Sequence, residues 1–126
     1  AIMFPDTEFI GVDSIAKKIR VVEGIKQGAG IENLRAVNSR AEQLGIKADY
    51  VVSRAVTEMA RFMPWAWGLL RKGQRGTLPN GILYLKGGEL AEELAATRRK
   101  WDLFDISTMF DDDFFDTKKV VYTKKE

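Results

Sequence analysis

The chain has 126 residues, of which 45% are hydrophobic, and this length and composition suit one packed domain, not a disordered chain. It contains neither cysteine nor histidine, so disulfides, thiolate or imidazole metal sites and a Ser-His-Asp triad are excluded among these residues. Lysine and arginine total 20 against 18 acidic residues, and the net charge of +2 is too small to indicate nucleic-acid binding by itself.

The sequence offers no sign of a membrane segment or a leader peptide. No apolar run comes near the roughly 20 residues that cross a bilayer. The first residues, Ala1–Pro5, lack the basic start and long apolar stretch of a signal peptide. A cytoplasmic protein without membrane contact is therefore expected.

The first predicted elements are a strand and a helix. Glu8–Asp13 has the pattern of a short buried strand that ends in a carboxylate. A helix should follow over Ile15–Lys26, and either Asp13 or Ser14 can accept hydrogen bonds from its first free amides. Its apolar face is expected to consist of Ile15, Ile19, Val22 and Ile25. The glycines expected to end it are Gly28 and Gly30.

Two strands and a second helix come next. The strands are predicted at Leu34–Asn38 and Tyr50–Ser53, and the helix over Thr57–Leu70. Pro64 lacks an amide hydrogen and should kink or restart that helix. The apolar face is expected to consist of Val56, Met59, Ala60, Met63 and Trp67. At this helical spacing, core packing is favoured over stacking on RNA bases.

The remaining elements predict the fold class. In order, they are a loop over Lys72–Gly81, a strand over Ile82–Lys86, a helix from Gly87-Gly88 to about Arg99, a strand around Phe104–Ile106, a loop at Asp111–Asp113 and a strand at Val120–Tyr122. Strands that alternate with helices indicate an α/β protein with a mostly parallel sheet and helices on both faces. The last two strands have no helix between them and indicate an antiparallel edge.

Candidate functional residues lie where these strands end, because ligands of such sheets bind at the carboxyl ends of the strands. Asp13 could accept both hydroxyls of a ribose or could simply cap a helix, and its position alone leaves both interpretations open. Arg54 could form a surface ion pair, or it could face a phosphate, a carboxylate or a base edge. The basic cluster of Arg71, Lys72 and Arg75, taken alone, is typical of a solvated surface.

Four segments together resemble the RsmG (also GidB) family of bacterial ribosomal RNA methyltransferases. They are Gly11–Ser14 followed by Lys17-Lys18, Asn38–Glu42, Val52–Val56 and Leu85–Leu90. The resemblance extends roughly from Ala1 to Leu94. It implies a class I, Rossmann-like methyltransferase sheet that uses S-adenosylmethionine to methylate N7 of a guanine in the 530 loop of 16S ribosomal RNA. Residues 1–126 would then form a truncated methyltransferase domain that acts on 16S rRNA or the small ribosomal subunit.

The resemblance also implies roles for particular residues. Asp13 and Ser14 would hold the cofactor ribose, and Arg40, Ala41 and Glu42 would lie along the adenine. Ser53 would line the turn beside the methyl-transfer site, where Arg54 would be the essential cation. Lys86 would face cofactor or RNA. The loop over Lys72–Gly81 departs from the family by being longer than its common short turn, and Arg75 within this loop is expected, independently of the resemblance, to contact RNA.

The sequence departs from the family pattern at its start. The glycine-rich loop that cradles the methionine part of the cofactor would lie upstream of Ala1, together with the first strand. That strand would sit between the strands at 8–13 and 50–53, so its absence would leave two edges unpaired. The chain is therefore expected either to pair these edges with another copy, as a homo-oligomer, or to be one part of a longer protein. Alone, it is expected to bind cofactor weakly and to be inactive.

Two other functions remain open at this point. An NAD(P)-binding dehydrogenase would share the α/β fold and the acidic residue that binds a ribose. A non-catalytic module that only binds ribosomal RNA would share the basic clusters.

Overall fold

The computed structural model describes residues 1–54 and 57–125. The chain divides into two compact units, Ala1–Leu44 and Gly45–Glu126. Among the described residues, no helix has both the length and the apolar character needed to cross a membrane.

The first unit contains a parallel pair of strands. These are β1 (Phe9–Asp13) and β2 (Leu34–Asn38), paired in register from Phe9 with Leu34 to Asp13 with Asn38. Both strands are confirmed, although β1 is half-buried where full burial was predicted. The side-chain amide of Asn33 donates to the carbonyls of Ala1, Phe4 and Thr7, which holds the N-terminal segment against this pair.

The helix between these strands, α1 (Ala16–Ala29), is longer than predicted. Gly30 ends it at a φ of 65°, a left-handed conformation that favours glycine. Gly28 lies inside the helix, so its predicted role as a terminator is wrong. The predicted apolar face is half right: Ile19 and Val22 are half-buried, but Ile15 and Ile25 are 50% and 58% exposed. Within this unit, a two-stranded sheet covers less of the helix than a wide sheet would.

The second unit contains a four-stranded mixed sheet. Its strands are β3 (Tyr50–Arg54), β4 (Gly81–Gly87), β5 (Asp102–Asp105) and β6 (Lys118–Lys124), in the order β3-β4-β6-β5. β3 and β4 are parallel, whereas β6 runs antiparallel to both β4 and β5. The predicted α/β class with parallel strands and an antiparallel edge is therefore confirmed. Among the described residues, β1 pairs with β2 alone and β3 with β4 alone.

The core of the second unit forms between its sheet and helix α2 (Met59–Leu69). The buried face is Met59, Phe62, Met63 and Ala66, and Phe62 meets Tyr84 of β4 edge to face at 4.9 Å.

The predicted apolar face of α2 is partly confirmed. Met59 and Met63 were predicted correctly, whereas Ala60 is exposed and Trp67 is half-buried. Val56 lies outside the described residues. The helix continues through Pro64 without restarting, since the buried apolar face on both sides of it offsets the lost amide bond.

The predicted helix up to Arg99 is wrong in length, because α3 covers only Ala91–Ala95. The amides of Thr97 and Arg98 bond to carbonyls three residues back, and the Thr97 hydroxyl also donates to the Leu94 carbonyl. Arg98 then takes a left-handed φ of 56°, which ends the helical path. The strand predicted around residues 104–106 is shifted to Asp102–Asp105, and the buried Ile106 begins a short 3₁₀ turn.

Candidate functional site

Asp13 links the ends of the two strands in the first unit. Its backbone carbonyl accepts from the Asn38 side-chain amide at 3.1 Å and from the Ser39 amide at 3.1 Å. Its Oδ1 accepts from the Ile15 amide at 2.9 Å. Ile15 itself is the N-cap of α1, which receives no side-chain cap, so Asp13 shapes the turn before the helix and its predicted capping of the first helical amides is wrong. A carboxylate offers about four acceptor positions, which leaves capacity for a ribose diol beside an exposed Ser14.

The segment after β2 continues this polar edge. Ala41–Gln43 forms a short 3₁₀ turn that begins after Arg40. Arg40 and Glu42 form an ion pair at 3.7 Å, with 68% and 39% of their side chains exposed. Such an exposed pair contributes little to stability, so both side chains remain free to rearrange around a ligand. The first unit thus presents Asp13, Ser14 and residues 40–42 at the carboxyl ends of two adjacent parallel strands.

In the second unit, Ser53 and Arg54 are the last two residues of β3. They lie in register with Tyr84 and Leu85 of β4, and Lys86 follows directly along that strand. The structure therefore brings Ser53, Arg54 and Lys86 to the carboxyl ends of neighbouring parallel strands. The Arg54 side chain is exposed. Ala55, the last residue of the predicted Ser-Arg-Ala turn, lies outside the described residues.

The Lys86 ammonium group is held by other protein groups. It donates to Glu93 Oε1 at 2.5 Å and to the Thr57 carbonyl at 3.3 Å, and it lies 4.8 Å from the centre of the Tyr84 ring. Glu93 also accepts from the Met59 amide at 2.9 Å, so it caps the first turn of α2 from another helix. Burial alone would raise the pKa of Glu93, but the hydrogen bonds from Lys86 and Met59 and the charge of Lys86 outweigh it and lower that pKa.

Arg75 lies at the opposite end of the sheet from Arg54 and Lys86. Its loop leads into Gly81, the first residue of β4, which pairs with Tyr50, the first residue of β3. A strand of seven residues is roughly 20 Å long. Arg75 is therefore well separated from the residues with which the sequence grouped it.

Asn80 and Tyr50 give this loop its shape. Asn80 is 1% exposed, its Oδ1 accepts from the Arg75 amide at 3.1 Å, and its backbone amide donates to the Gly73 carbonyl at 2.7 Å. The Tyr50 hydroxyl accepts from the Gly76 amide and donates to the Leu78 carbonyl. No structural role was predicted from the sequence for Asn80, Tyr50 or Glu93. A polar residue in the loop of residues 72–81 was the available signal for Asn80. Glu93 carried no such signal, because its partners Lys86 and Met59 belong to other elements, β4 and α2.

Comparison with known families and relatives gives consistent matches. The family model described as GidB, rRNA small subunit methyltransferase G, matches residues 1–117. The ribosomal RNA small subunit methyltransferase G of Flavobacterium johnsoniae is 48% identical, with 97% of this chain and 58% of that protein covered. The protein of the same name from Cytophaga hutchinsonii is 46% identical, with 97% and 59% covered. The chain thus spans less than two thirds of the length of these relatives.

Several solved structures have a fold similar to that of this chain. TrmN from Thermus thermophilus superposes with a TM-score of 0.66 at 12% identity, covering 94% of this chain and 36% of that one. A point mutant of MtNAS in complex with S-adenosylmethionine gives 0.61 at 11% identity, covering 95% and 55%. An rRNA methylase from Streptococcus thermophilus gives 0.60 at 9% identity, covering 94% and 74%. At these identities the likeness concerns the fold alone, and it confirms the predicted class I methyltransferase fold.

Proposed function

The chain belongs to the rRNA small subunit methyltransferase G (GidB) family, and on this basis we propose that it supplies part of the site at which a methyl group passes from S-adenosylmethionine to N7 of a guanine in the 530 loop of 16S ribosomal RNA. The observation that carries the proposal is the 48% identity with a named member along 97% of the chain. Residues 1–126 would be one part of a methyltransferase domain. The substrate would be 16S rRNA or the small ribosomal subunit, which places the protein in the cytoplasm.

The residues at the ends of β1 and β2 fit an adenosine group. Asp13 would accept from both ribose hydroxyls while its Oδ1 keeps the bond to the Ile15 amide. Ser14 would add a hydroxyl, and residues 40–42 would lie along the adenine edge with their weak ion pair opened.

The reaction requires alignment more than proton transfer. S-adenosylmethionine supplies a methyl group on an electrophilic sulfonium. Guanine N7 in RNA carries a free lone pair and no proton, so no general base is required, and the lack of histidine suits this chemistry. The N7 lone pair would take the methyl group, the sulfur would leave as a neutral thioether, and the positive charge would pass to the guanine ring. Arg54 would donate to guanine O6 and thereby orient the base so that N7 faces the methyl group. Ser53 would line the same turn next to the cofactor.

Two predicted RNA contacts receive different roles. Lys86 is engaged with Glu93 and the Thr57 carbonyl, so we assign it to positioning α2 and α3 beside the carboxyl end of β4. Arg75 remains an RNA contact, but at the other end of the sheet. The dehydrogenase alternative gains no support from the family or its relatives.

In the part of the chain that the structure describes, β1 and β3 each have an edge without a partner strand, and this bears on the oligomeric state. An extended strand with free amides and carbonyls readily pairs with another strand. We propose that these edges pair either with a second copy or with further residues of a longer protein. Size-exclusion chromatography with light scattering distinguishes the two, because a strict monomer of residues 1–126 would contradict pairing between copies.

The functional proposal can be tested in a chimera in which residues 1–126 replace the matching segment of the Flavobacterium johnsoniae relative. Arg54→Ala should slow single-turnover methylation about a hundredfold, because the base would no longer be oriented toward the methyl group, and should leave the affinity for S-adenosylmethionine unchanged. Asp13→Ala should instead weaken cofactor binding about tenfold or more, because charge-assisted hydrogen bonds to the ribose are lost. Arg61→Ala, an exposed arginine of α2, serves as the control. Unchanged methylation by Arg54→Ala would refute the role given to that residue.

A further inference from the structure

Basic side chains from several segments meet at the end of the sheet where β3 and β4 begin. Lys47 precedes β3, and its ammonium group donates to the Gly68 carbonyl at the end of α2. Lys125 follows β6, its backbone amide donates to the Asn80 carbonyl, and its ammonium group donates to the Trp67 carbonyl at 2.8 Å. Lys72 and Arg75 lie in the loop that leads into β4, next to Asn80.

Trp67 holds Lys125 and one further cation, Arg99, in place. The Arg99 guanidinium stacks on its ring at 3.5 Å, and the Lys125 ammonium lies 4.5 Å from the ring centre. A guanidinium on an indole keeps its charge and its outward-facing N–H donors. Trp67 therefore fixes Arg99 and Lys125 without neutralising either one.

Among residues 1–54 and 57–125, few carboxylates lie near this charge. Asp49 lies at the same end and pairs with Arg71 at 3.1 Å, and Asp102 begins β5. Within residues 1–54 and 57–125, no carboxylate forms an ion pair with Lys47, Lys72, Arg75, Arg99 or Lys125. Burial, followed by the positive charges of Lys47, Arg99 and Lys72, lowers the pKa of Lys125. The cations thus repel one another, and an anion bound among them would relieve that repulsion.

We propose that this basic end of the second unit, formed by Lys47, Lys72, Arg75, Arg99 and Lys125, is a second RNA-binding surface that contacts backbone phosphates. The inference rests on the proposed function, because ribosomal RNA is the polyanion that this family's substrate provides. The surface lies a strand's length, roughly 20 Å, from Arg54 and Lys86. A single nucleotide cannot reach both ends, whereas a folded RNA can. The surface would therefore bind RNA that flanks the target loop and would position the loop at the opposite end.

The loop geometry supports contact by Lys72 and Arg75 in particular. Both side chains are exposed, while the backbone beneath them is fixed by the buried Asn80. A fixed backbone lowers the entropy cost of ordering these side chains on a phosphate. Their substitution should not disturb folding, since neither side chain is buried.

The experiment measures binding of a fluorescent 16S rRNA stem-loop by residues 1–126 at several salt concentrations. One RNA contains only the loop, and a longer RNA adds its flanking helix. The variant K72Q/R75Q should bind the longer RNA about tenfold more weakly at low salt. Its slope of log affinity against log salt should fall by about 1.5, because each lost phosphate contact accounts for roughly 0.7 to 0.9. Binding of the short RNA should change little.

The matched control is R20Q/R35Q, which removes two exposed arginines from the first unit and the same charge. The slope for the longer RNA should stay within about 0.3 of the unsubstituted chain. An equal fall in slope for both variants, or an unchanged slope for K72Q/R75Q, would overturn the proposal. Binding needs no methyl transfer, so an inactive chimera together with the expected slopes would count against the proposed function and not against this surface.

Discussion

Removal of the Glu93 carboxylate should destabilise the second unit substantially. Glu93 accepts from the Met59 amide at 2.9 Å and from the Lys86 ammonium at 2.5 Å. In Glu93→Ala, the first amide of α2 loses its acceptor, which typically costs about 1 kcal/mol. Lys86 would also lose its counter-ion while only 16% of its side chain is exposed.

Breaking a fully buried ion pair costs about 3–5 kcal/mol. Glu93 keeps 25% of its side-chain exposure, so solvent reduces this cost to about 1–3 kcal/mol. The total for Glu93→Ala is about 2–4 kcal/mol. Glu93→Gln retains an acceptor for the Met59 amide, so its free energy of unfolding should fall by about half as much as that of Glu93→Ala.

Urea unfolding followed by tryptophan fluorescence measures this difference, because all three tryptophans belong to the second unit. Glu92→Ala is the control, since Glu92 is an exposed neighbour on the same helix. Its free energy of unfolding should stay within about 0.5 kcal/mol of the unsubstituted chain. Equal stabilities of Glu93→Ala and Glu92→Ala would refute the reasoning.

The pH dependence gives a second readout for the same residue. The folded-state pKa of Glu93 lies below its ordinary value of 4.5, so the folded chain binds its proton less readily than the unfolded chain. The contribution of Glu93 is therefore complete above pH 4.5 and is lost as the pH falls through the lower folded-state pKa. The stability gap between the unsubstituted chain and Glu93→Gln should close over that acidic range. A gap that stays constant would contradict the ion pair.

Further predictions concern glycines and the buried asparagine. Gly81→Ala should destabilise the second unit by about 3 kcal/mol or more in urea unfolding, because its methyl group would lie 2.2 Å from the Thr123 carbonyl oxygen. A loss below about 1 kcal/mol would argue against such close packing of Gly81 on β6. Gly28→Ala should instead raise the helix content and stability of the first unit by about 0.5–1 kcal/mol, measured by circular dichroism, since Gly28 lies inside α1 with open space around it. Asn80→Ala should cost about 2–3 kcal/mol and speed proteolysis in the loop of residues 71–80, whereas unchanged cleavage would show that Asn80 does not fix this loop.

The sequence predicted the strands well because each is a short apolar run bounded by polar or glycine residues. It failed at the ends of helices, where the backbone conformation of one or two residues sets the boundary. The helix predicted to reach Arg99 stops at Ala95 because Thr97 binds the Leu94 carbonyl and Arg98 turns left-handed. Neither a threonine nor an arginine at these positions predicts the end of a helix. Glycine is a poor helix former, which predicts a helix end at Gly28, yet the helix continues past it and ends at Gly30.

The candidate site was predicted in the same uneven way. The positions of Asp13, Arg54 and Lys86 followed from the rule that side chains at strand ends face the ligand edge. The engagement of Lys86 could not be predicted, because its partners Glu93 and Thr57 reach it only after α2 and α3 pack. Arg75 was grouped with the site by its charge alone, whereas the register of β3 and β4 places it at the far end. The charge of a residue is known from the sequence, but the end of the sheet at which that residue lies is not.

The most direct test of the account is mass spectrometry of ribonuclease fragments of unmethylated 16S rRNA after incubation with the chimera and S-adenosylmethionine. We expect 7-methylguanosine in the 530 loop, formed by the unsubstituted chimera and lost or strongly reduced in Asp13→Ala and Arg54→Ala. A folded chimera that binds cofactor but forms no 7-methylguanosine, or whose activity survives both substitutions, would contradict the proposed function and the site assigned to it.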